Sequence, residues 1–374
     1  MRESGIYENF GNLRHFIPHP LPPQNPPFNL GADLVVLYGE AMLALGHLNE
    51  IALRLPDIKR FIKAYVIKEA LLSSEIDGIH TTLVDVFTQP IAAAKVSKET
   101  QLVLNYTKAL DVALNLVKDD GLPIASRVIL AAHEALMSLG EGDRSAPGQY
   151  RKQAVRVGSL VPPPAPKVPE LMADLERYIN LDNTLPPLIK AGLAHVQFET
   201  IHPFLDGNGR IGRLLIVLML VESGLLVAPI LYPSYFFKKH HAEYYLQLDK
   251  VRFSGDFESW ITYYLTAIRD SSRDAASRVS DIEALEKEWK IKIEKDIRMS
   301  KMRETAQQAL MILFQNPIIG ISELGKKLSK TYNTAQRVIE LFLEMGMISE
   351  IGGQARNRCY QFDSYLAVLE REYL

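Results

Sequence analysis

Residues 195 to 213, HVQFETIHPFLDGNGRIGR, lie between two apolar stretches with helical spacing at about 187–201 and 209–223, and this junction constrains the chain more than any other segment. Asp206-Gly207-Asn208-Gly209-Arg210 puts two glycines into a turn that opens the second helix near Gly209. Glycine lets backbone N–H groups approach a ligand closely, and a helix start adds unpaired donors and the positive end of the dipole. The turn therefore reads as a phosphate cradle. Arg210 and Arg213, at i and i+3, share a helix face from which both guanidinium groups reach a polyphosphate leaving that cradle. Asp206 is a hard oxygen ligand placed for Mg²⁺ bridging phosphate oxygens, and His202 can accept a proton near neutral pH. Base, metal ligand, anion hole and paired arginines are the parts of a phosphoryl or nucleotidyl transfer site. Each also has a plainer role as a structural histidine, an ordinary Asp-Gly or Asn-Gly turn, or a solvated arginine; their occurrence together within twelve residues points to chemistry.

The rest of the chain is mainly helical. Residues 16 to 28, FIPHPLPPQNPPF, carry six prolines and read as an extended arm. From Gly31 the apolar residues Leu34, Leu37, Leu43, Leu45, Leu48, Ile51 and Leu55 recur at helical spacing, Pro56 interrupts them, and a second helix is predicted from about Asp57 to Ser74. Further helices are predicted at about 100–118, 125–139, 167–180, 238–252 and 256–269, with a short β-hairpin within PGQYRKQAVRVGSLVPPP, 147–164. Residues 270 to 305 alternate in charge, as a solvated connecting helix does; pairing with a second copy as a coiled coil is the alternative, and leaves homodimerisation open. Helical runs at about 304–315, 321–329 and 333–345 precede MISEIGGQARNRCYQF, whose Gly-Gly suits a hairpin turn. That pattern resembles a winged helix-turn-helix with Thr331 to Met345 as recognition helix. The predicted division is therefore 1–100 (arm and first helices), 101–270 (catalytic core), 271–305 (charged linker helix) and 306–374 (winged-helix-like unit).

Composition excludes more than it identifies. Hydrophobic residues at 47% and charged residues at 23% are those of a folded globular chain, and a net charge of −2 gives no bulk attraction to nucleic acid or an acidic membrane. The single cysteine, Cys359, can form neither an intrachain disulfide nor a thiolate cage for zinc. Without an apparent signal peptide, and with Leu214 to Val221 as the longest apolar run, the expectation is a cytoplasmic protein with no membrane partner.

His202-Pro203-Phe204-Leu205-Asp206-Gly207-Asn208-Gly209-Arg210-Ile211-Gly212-Arg213 resembles the signature of the Fic domain family, HPFxDGNGRxxR, at every specified position. The resemblance runs from about residue 30 to 270 and includes a flap, PGQYRKQAVRVG followed by VPPP. It implies a helical bundle with a short β-hairpin flap that transfers AMP from ATP, with Mg²⁺, to a hydroxyl of a target protein. In that family's scheme His202 takes the proton from the acceptor hydroxyl, Asp206 holds Mg²⁺, and the segment from Gly207 to Gly209, with Asn208, forms the anion hole. Arg210 holds the β-phosphate and Arg213 the γ-phosphate, with Ile211 and Gly212 between them. Phe204 anchors the loop, Tyr244 and Tyr245 match the place where adenine packs, and Val157, Gly158 and Ser159 align the target by strand addition. Gly209, in place of a bulkier basic residue, implies AMP transfer instead of phosphorylation, while the base remains open.

Many members carry an inhibitory helix, S/T-x-x-x-E-G/N, and the matching residues here are Ser73, Asp77 and Gly78, with aspartate at the glutamate position. The resemblance implies that Asp77 pairs with Arg213, more loosely than glutamate would, as a leaky brake; the plainer reading is a helix end before Gly78. Lys326, Lys327, Lys330 and Arg337, with Arg356 and Arg358, leave DNA binding by the C-terminal unit open beside a protein contact. The expected function is an autoinhibited protein adenylyltransferase. A nucleotide-sensing, DNA-binding transcription regulator is the alternative, and it would have no use for His202 as a base.

Overall fold

The computed structural model describes residues 2–54, 59–88, 97–138, 146–181, 184–351 and 358–371. The chain opens with a hairpin that the sequence reading missed. Strands β1 (Gly5–Phe10) and β2 (Leu13–Pro18) pair antiparallel, Gly5 opposite Pro18 and Phe10 opposite Leu13, around a two-residue turn in which Gly11 has φ +59°. The start of the proline arm is thus strand, with Phe16 and Ile17 buried. Beyond it the chain runs irregularly to helix α1 (Ala32–Arg54).

Next come α2 (Lys59–Ile76), α3 (Leu83–Thr88), α4 (Lys98–Leu114, continued by a π-turn through Asp119) and α5 (Ser126–Met137). After the flap follow α6 (Val168–Leu181), α7 (Pro187–Ile201) and α8 (Asn208–Glu222). Helix α7 is buried all round from Leu188 to Ile201, and α8 nearly so, which makes this pair the centre of the core. Lys190, His195 and Glu199 are therefore inside the protein and need partners there. The stretch predicted as one helix at 238–252 is two, α9 (Ser234–Lys239) and α10 (His241–Ser254), broken at His240.

Helix α11 runs without interruption from Phe257 to Lys295. The charged segment expected as a solvated linker is its second half, and one face is buried through Ala275, Arg278, Val279, Ile282, Glu286, Trp289 and Ile293. Its charges are partly internal: Arg278 grips Asp274 at 2.7 and 3.1 Å and donates to Val368 O at 2.5 Å. Helix α1, long and apolar enough by length and composition alone to cross a membrane, packs along α11, with Glu40 paired to Arg269 at 2.8 Å.

The last unit holds α12 (Arg303–Gln315), β3 (Ile318–Gly320), α13 (Ile321–Leu328), α14 (Tyr332–Glu344), β4 (Ser349–Ile351), β5 (Cys359–Gln361) and α15 (Asp363–Glu370). Its strands form an antiparallel sheet ordered β3-β5-β4. The Gly-Gly turn and Arg356 lie outside the described residues. The unit packs on α2: the Phe61 and Phe314 rings are 6.0 Å apart, and Lys63 donates to Asn316 at 2.7 Å.

Candidate active site

Helix α7 ends at His202, which takes the left-handed conformation (φ +51°, ψ +62°) while its N–H still bonds to Phe198 O at 2.9 Å. A C-cap in this conformation is usually glycine, so a histidine held there is a local strain. What holds it is Arg151, whose guanidinium donates to the carbonyls of His202 (2.8 Å), Ile201 (3.3 Å), Pro163 (2.6 Å) and Gln153 (3.1 Å). Burial lowers the Arg151 pKa to about 10, still far above neutrality. The Nδ1 atom of His202 is buried without a hydrogen-bond partner among the described residues. Burial and the nearby Arg252 push the imidazole pKa down to about 3, so it stands neutral with an acceptor nitrogen to offer.

The loop after His202 is pinned by Phe204, fully buried and stacked on His133 with centroids 3.7 Å apart. His133 is also tied to the loop backbone. Its Nδ1 accepts from Gly148 N–H at 3.0 Å, so Nε2 carries the proton and donates to Asp206 O at 3.1 Å. Burial holds this imidazole neutral, at a pKa of about 4. Neither His133 nor Arg151 was singled out from the sequence, because each acts on backbone carbonyls supplied by distant elements.

Gly207, at φ +76°, is the N-cap of α8, and no side chain caps the helix. The first helical bond in this turn is Ile211 N–H to Gly207 O, so the N–H groups of Asn208, Gly209 and Arg210 belong to the helix opening. The Asn208 side chain differs from expectation. Its Oδ1 accepts from Phe204 N–H at 2.8 Å and its Nδ2 donates to Phe204 O at 2.9 Å, so the side chain staples the loop. Ile211 is buried, and Gly212 leaves room for a carboxyl: a Cβ there would stand 2.2 Å from Glu199 Oε1. That oxygen is buried with no hydrogen-bond partner, and burial raises the Glu199 pKa to about 7.

Both arginines are buried and face the end of α2. Arg213 donates from Nε to Ser73 Oγ and from Nη2 to Ser73 O, each 2.8 Å, and from Nη2 to Asp77 Oδ1 at 2.9 Å. Burial alone would lower its pKa; the facing Asp77 carboxylate outweighs that and raises it. The other oxygen of Asp77 lies 3.6 Å from Arg210 Nε, and Arg210 Nη2 lies 3.6 Å from Asp206 Oδ2. Asp77 thus divides its oxygens between two arginines. Gly78, at φ +81°, turns the chain away immediately afterwards. Glu75 points elsewhere and pairs with Lys238. The side chain of Asp206 is half exposed, its Oδ1 accepting from Gly207 N–H at 2.6 Å.

Tyr244 is not available to a base. It is fully buried, and its hydroxyl donates to His195 Nε2 at 2.8 Å while His195 Nδ1–H donates to Gly212 O at 2.8 Å. Tyr245, by contrast, is 36% exposed with its ring against His241. The flap is reduced to a tight turn. Val157 and Leu160 exchange backbone hydrogen bonds of 2.9 Å around Gly158, at φ +58°, and Ser159, both exposed. The N-terminal hairpin backs it, Phe16 N–H bonding to Val161 O at 2.9 Å.

Two family models match the chain: the Fic/DOC family N-terminal model at residues 35–115 and the Fic/DOC family model at residues 123–220. Among curated proteins, the protein adenylyltransferases Fic of Drosophila erecta and Drosophila melanogaster are each 29% identical over 197 residues, which is 49% of this chain and 38% of theirs. The chain thus matches well under half the length of these relatives. Among solved structures, a Fic family protein from Desulfovibrio desulfuricans superposes with a TM-score of 0.59 at 24% identity, over 90% of this chain and 98% of that one. Fic-1 from C. elegans gives 0.51 at 20% identity, over 67% and 74%. The chain therefore has the fold of Fic family proteins, and residues 35–115 and 123–220 match the two Fic/DOC segments in order.

Proposed function

We propose that this chain is a protein adenylyltransferase that moves AMP from ATP to a side-chain hydroxyl of a target protein, and that Asp77 restrains it. The observation that carries this reading is the convergence of the α8 N-terminus, Arg210, Arg213 and the unpartnered Nδ1 of His202 on one end of the α7–α8 pair. The acceptor oxygen bonds to the α-phosphorus, the bond from that phosphorus to the α–β bridging oxygen breaks, and the hydroxyl proton passes to His202. Pyrophosphate leaves. Neutral His202 can take that proton, and the phosphate charges raise its basicity as they enter. The opening N–H groups of α8 receive the α-phosphate, and the arginines neutralise the leaving group.

Asp206 suits Mg²⁺, because a single half-exposed carboxylate beside a phosphate site is the usual protein share of that ion's ligands, the phosphates and water supplying the others. Bound there, Mg²⁺ would neutralise charge on the phosphate oxygens. Asp77 competes with ATP for Arg213, and its neutralisation or displacement frees the arginine for the γ-phosphate. The order α12-β3-α13-α14-β4-β5 and the antiparallel sheet support reading the last unit as a winged helix, with Lys326, Lys327 and Lys330 as a docking face for target protein or DNA.

The test is label transfer to protein from ATP carrying its tracer on the α-phosphate, with Mg²⁺ and cell extract, against a γ-labelled control. We expect α-label only, lost in His202→Ala and increased in Asp77→Gly. Covalent γ-label, or no transfer by any variant that still binds ATP, would overturn the reading.

A further inference from the structure

Helix α2 has a second polar face, away from Arg213. Lys68 is 5% exposed, and its ammonium makes one hydrogen bond, to Leu369 O on α15 at 2.8 Å. It lies 4.8 Å from the centroid of the Tyr232 ring and pairs with no carboxylate among the described residues. The nearby Asp274 is already held by Arg278 at 2.7 Å and by Tyr232 at 2.5 Å. A buried ammonium held by a carbonyl and an aromatic face is poorly compensated: burial together with Arg278 outweighs the more distant Asp274 and Glu370 and lowers its pKa to about 7.

Lys68 lines a cavity of about 520 Å³ between α2, α3, α9 and the end of α15. The size is that of small-molecule sites in general. Leu71, Leu72, Leu83 and Leu369 supply apolar wall, and Lys238 and Arg371 stand at the rim. Those two charges are neutralised, Lys238 by Glu75 and Arg371 by Asp281 at 2.6 Å. Lys239 also lines the cavity but is exposed, so Lys68 is the buried positive charge offered to a ligand. Glu370 also lines the cavity and repels a second negative charge, so the walls favour a monoanion with an apolar body over a free phosphate.

We propose that this cavity binds a small amphipathic carboxylate, its head on Lys68 and its body on Leu71, Leu72 and Leu83. The site has a route to the nucleotide site, because Lys68 and Glu75 flank Ser73 on the helix whose end presents Asp77 to Arg213. A carboxylate that takes the ammonium from Leu369 O loosens the hold of α15 on α2. The proposal concerns binding alone and holds whatever reaction the nucleotide site performs.

The experiment is calorimetric titration of the full chain with octanoate and with 4-phenylbutyrate, the matched alcohols and inorganic phosphate serving as controls. We expect saturable binding of the carboxylates, none of the alcohols or phosphate, and at least a tenfold loss of affinity in Lys68→Met. Leu83→Trp fills the cavity without touching the ammonium and is expected to abolish binding even where Lys68→Met fails to fold. Equal binding to wild type and Leu83→Trp, phosphate binding as tight as the carboxylates, or no saturable binding of either carboxylate would overturn the proposal.

Discussion

Asp77 and Arg213 are joined at 2.9 Å although 136 residues separate them in the chain. The contact depends on two glycines. Gly78 lets the chain turn off the end of α2, and a Cβ at Gly209 would stand 2.9 Å from both Asp77 Oδ1 and Arg213 Nη1. One carboxylate oxygen serves each arginine, so the bidentate form of the pair is absent.

Asp77→Asn should weaken the resting state and strengthen nucleotide binding. Removing one partner of a buried pair costs about 3–5 kcal/mol, and the partial exposure of Asp77 together with the two Ser73 contacts puts this case at or below the low end. The melting temperature without nucleotide should fall, and saturating ATP should restore it. A variant as stable as wild type with unchanged ATP affinity would show that the pair restrains nothing.

Arg151→Met should separate binding from turnover. The guanidinium organises four carbonyls around His202 and does not touch the arginines that face Asp77. Transfer should drop by more than about tenfold, a barrier change of roughly 1.4 kcal/mol, with the ATP dissociation constant within about twofold of wild type. Lys at this position, which cannot bridge as many carbonyls, should restore only part of the rate.

The two tyrosines of α10 should behave differently. Tyr244→Phe strands the Nε2 atom of buried His195 and should cost about 1–3 kcal/mol of stability while leaving ATP affinity alone. Tyr245→Ala should leave stability nearly unchanged and weaken ATP binding. Equilibrium unfolding and calorimetry on both variants settle the assignment, and the reverse pattern would return the adenine contact to Tyr244.

Gly212→Ala should destabilise through Glu199. The new methyl would meet the Glu199 carboxyl at 2.2 Å, and overpacking of a tight core costs about 1–3 kcal/mol. In a Glu199→Ala background the same change should cost markedly less. Equal cost in both backgrounds of this double-mutant cycle would place the strain elsewhere.

The buried ionisable groups set the pH dependence of stability. Glu69 is held at a pKa of about 8 by burial and Glu199 at about 7, both above the unfolded value of 4.5, so folding binds protons and stability falls as pH rises toward 8. His133 and His195 are depressed to about 4 and 3 from 6.5, so their contribution is lost as pH falls below 6.5. Between pH 4.5 and 6.5 these histidines, with His202 also held at about 3, outweigh the two carboxyls; above pH 7 Lys68, lowered from 10.5 to about 7, offsets Glu69, so the net loss from pH 6.5 to 8 should be about 1 kcal/mol. Glu69→Gln should turn that alkaline loss into a gain of about 1 kcal/mol in denaturant titrations at the two pH values.

The glycine-rich turn, the shared face of Arg210 and Arg213 and the helical character of most of the chain were legible in the sequence. Each is a local property: cap residues, i, i+3 spacing and apolar periodicity act within one or two turns of helix. The pairing of Asp77 with Arg213 came from the resemblance, and only the geometry divided its oxygens between two arginines. Sequence reading failed where a residue's role depended on what other elements brought to it. Alternating charges on α11 read as solvated, yet Asp274 and Arg278 are buried against each other and α15. The resemblance put Asn208 with the backbone of the anion hole, and only the structure shows its side chain bonded to both backbone groups of Phe204 four residues away.

By itself, then, the sequence determined most of the helices, the turn between α7 and α8 and the kinds of side chain in it, because short-range spacing decides caps and faces. The tertiary structure alone decided that Arg151 holds the His202 carbonyl, that His133 holds the loop, that Tyr244 is core while Tyr245 is half exposed, and that Lys68 is buried with no carboxylate paired to it among the described residues. A buried polar group must be satisfied by whatever the fold carries to it, and partners that arrive from distant segments leave no periodic trace in either stretch of sequence.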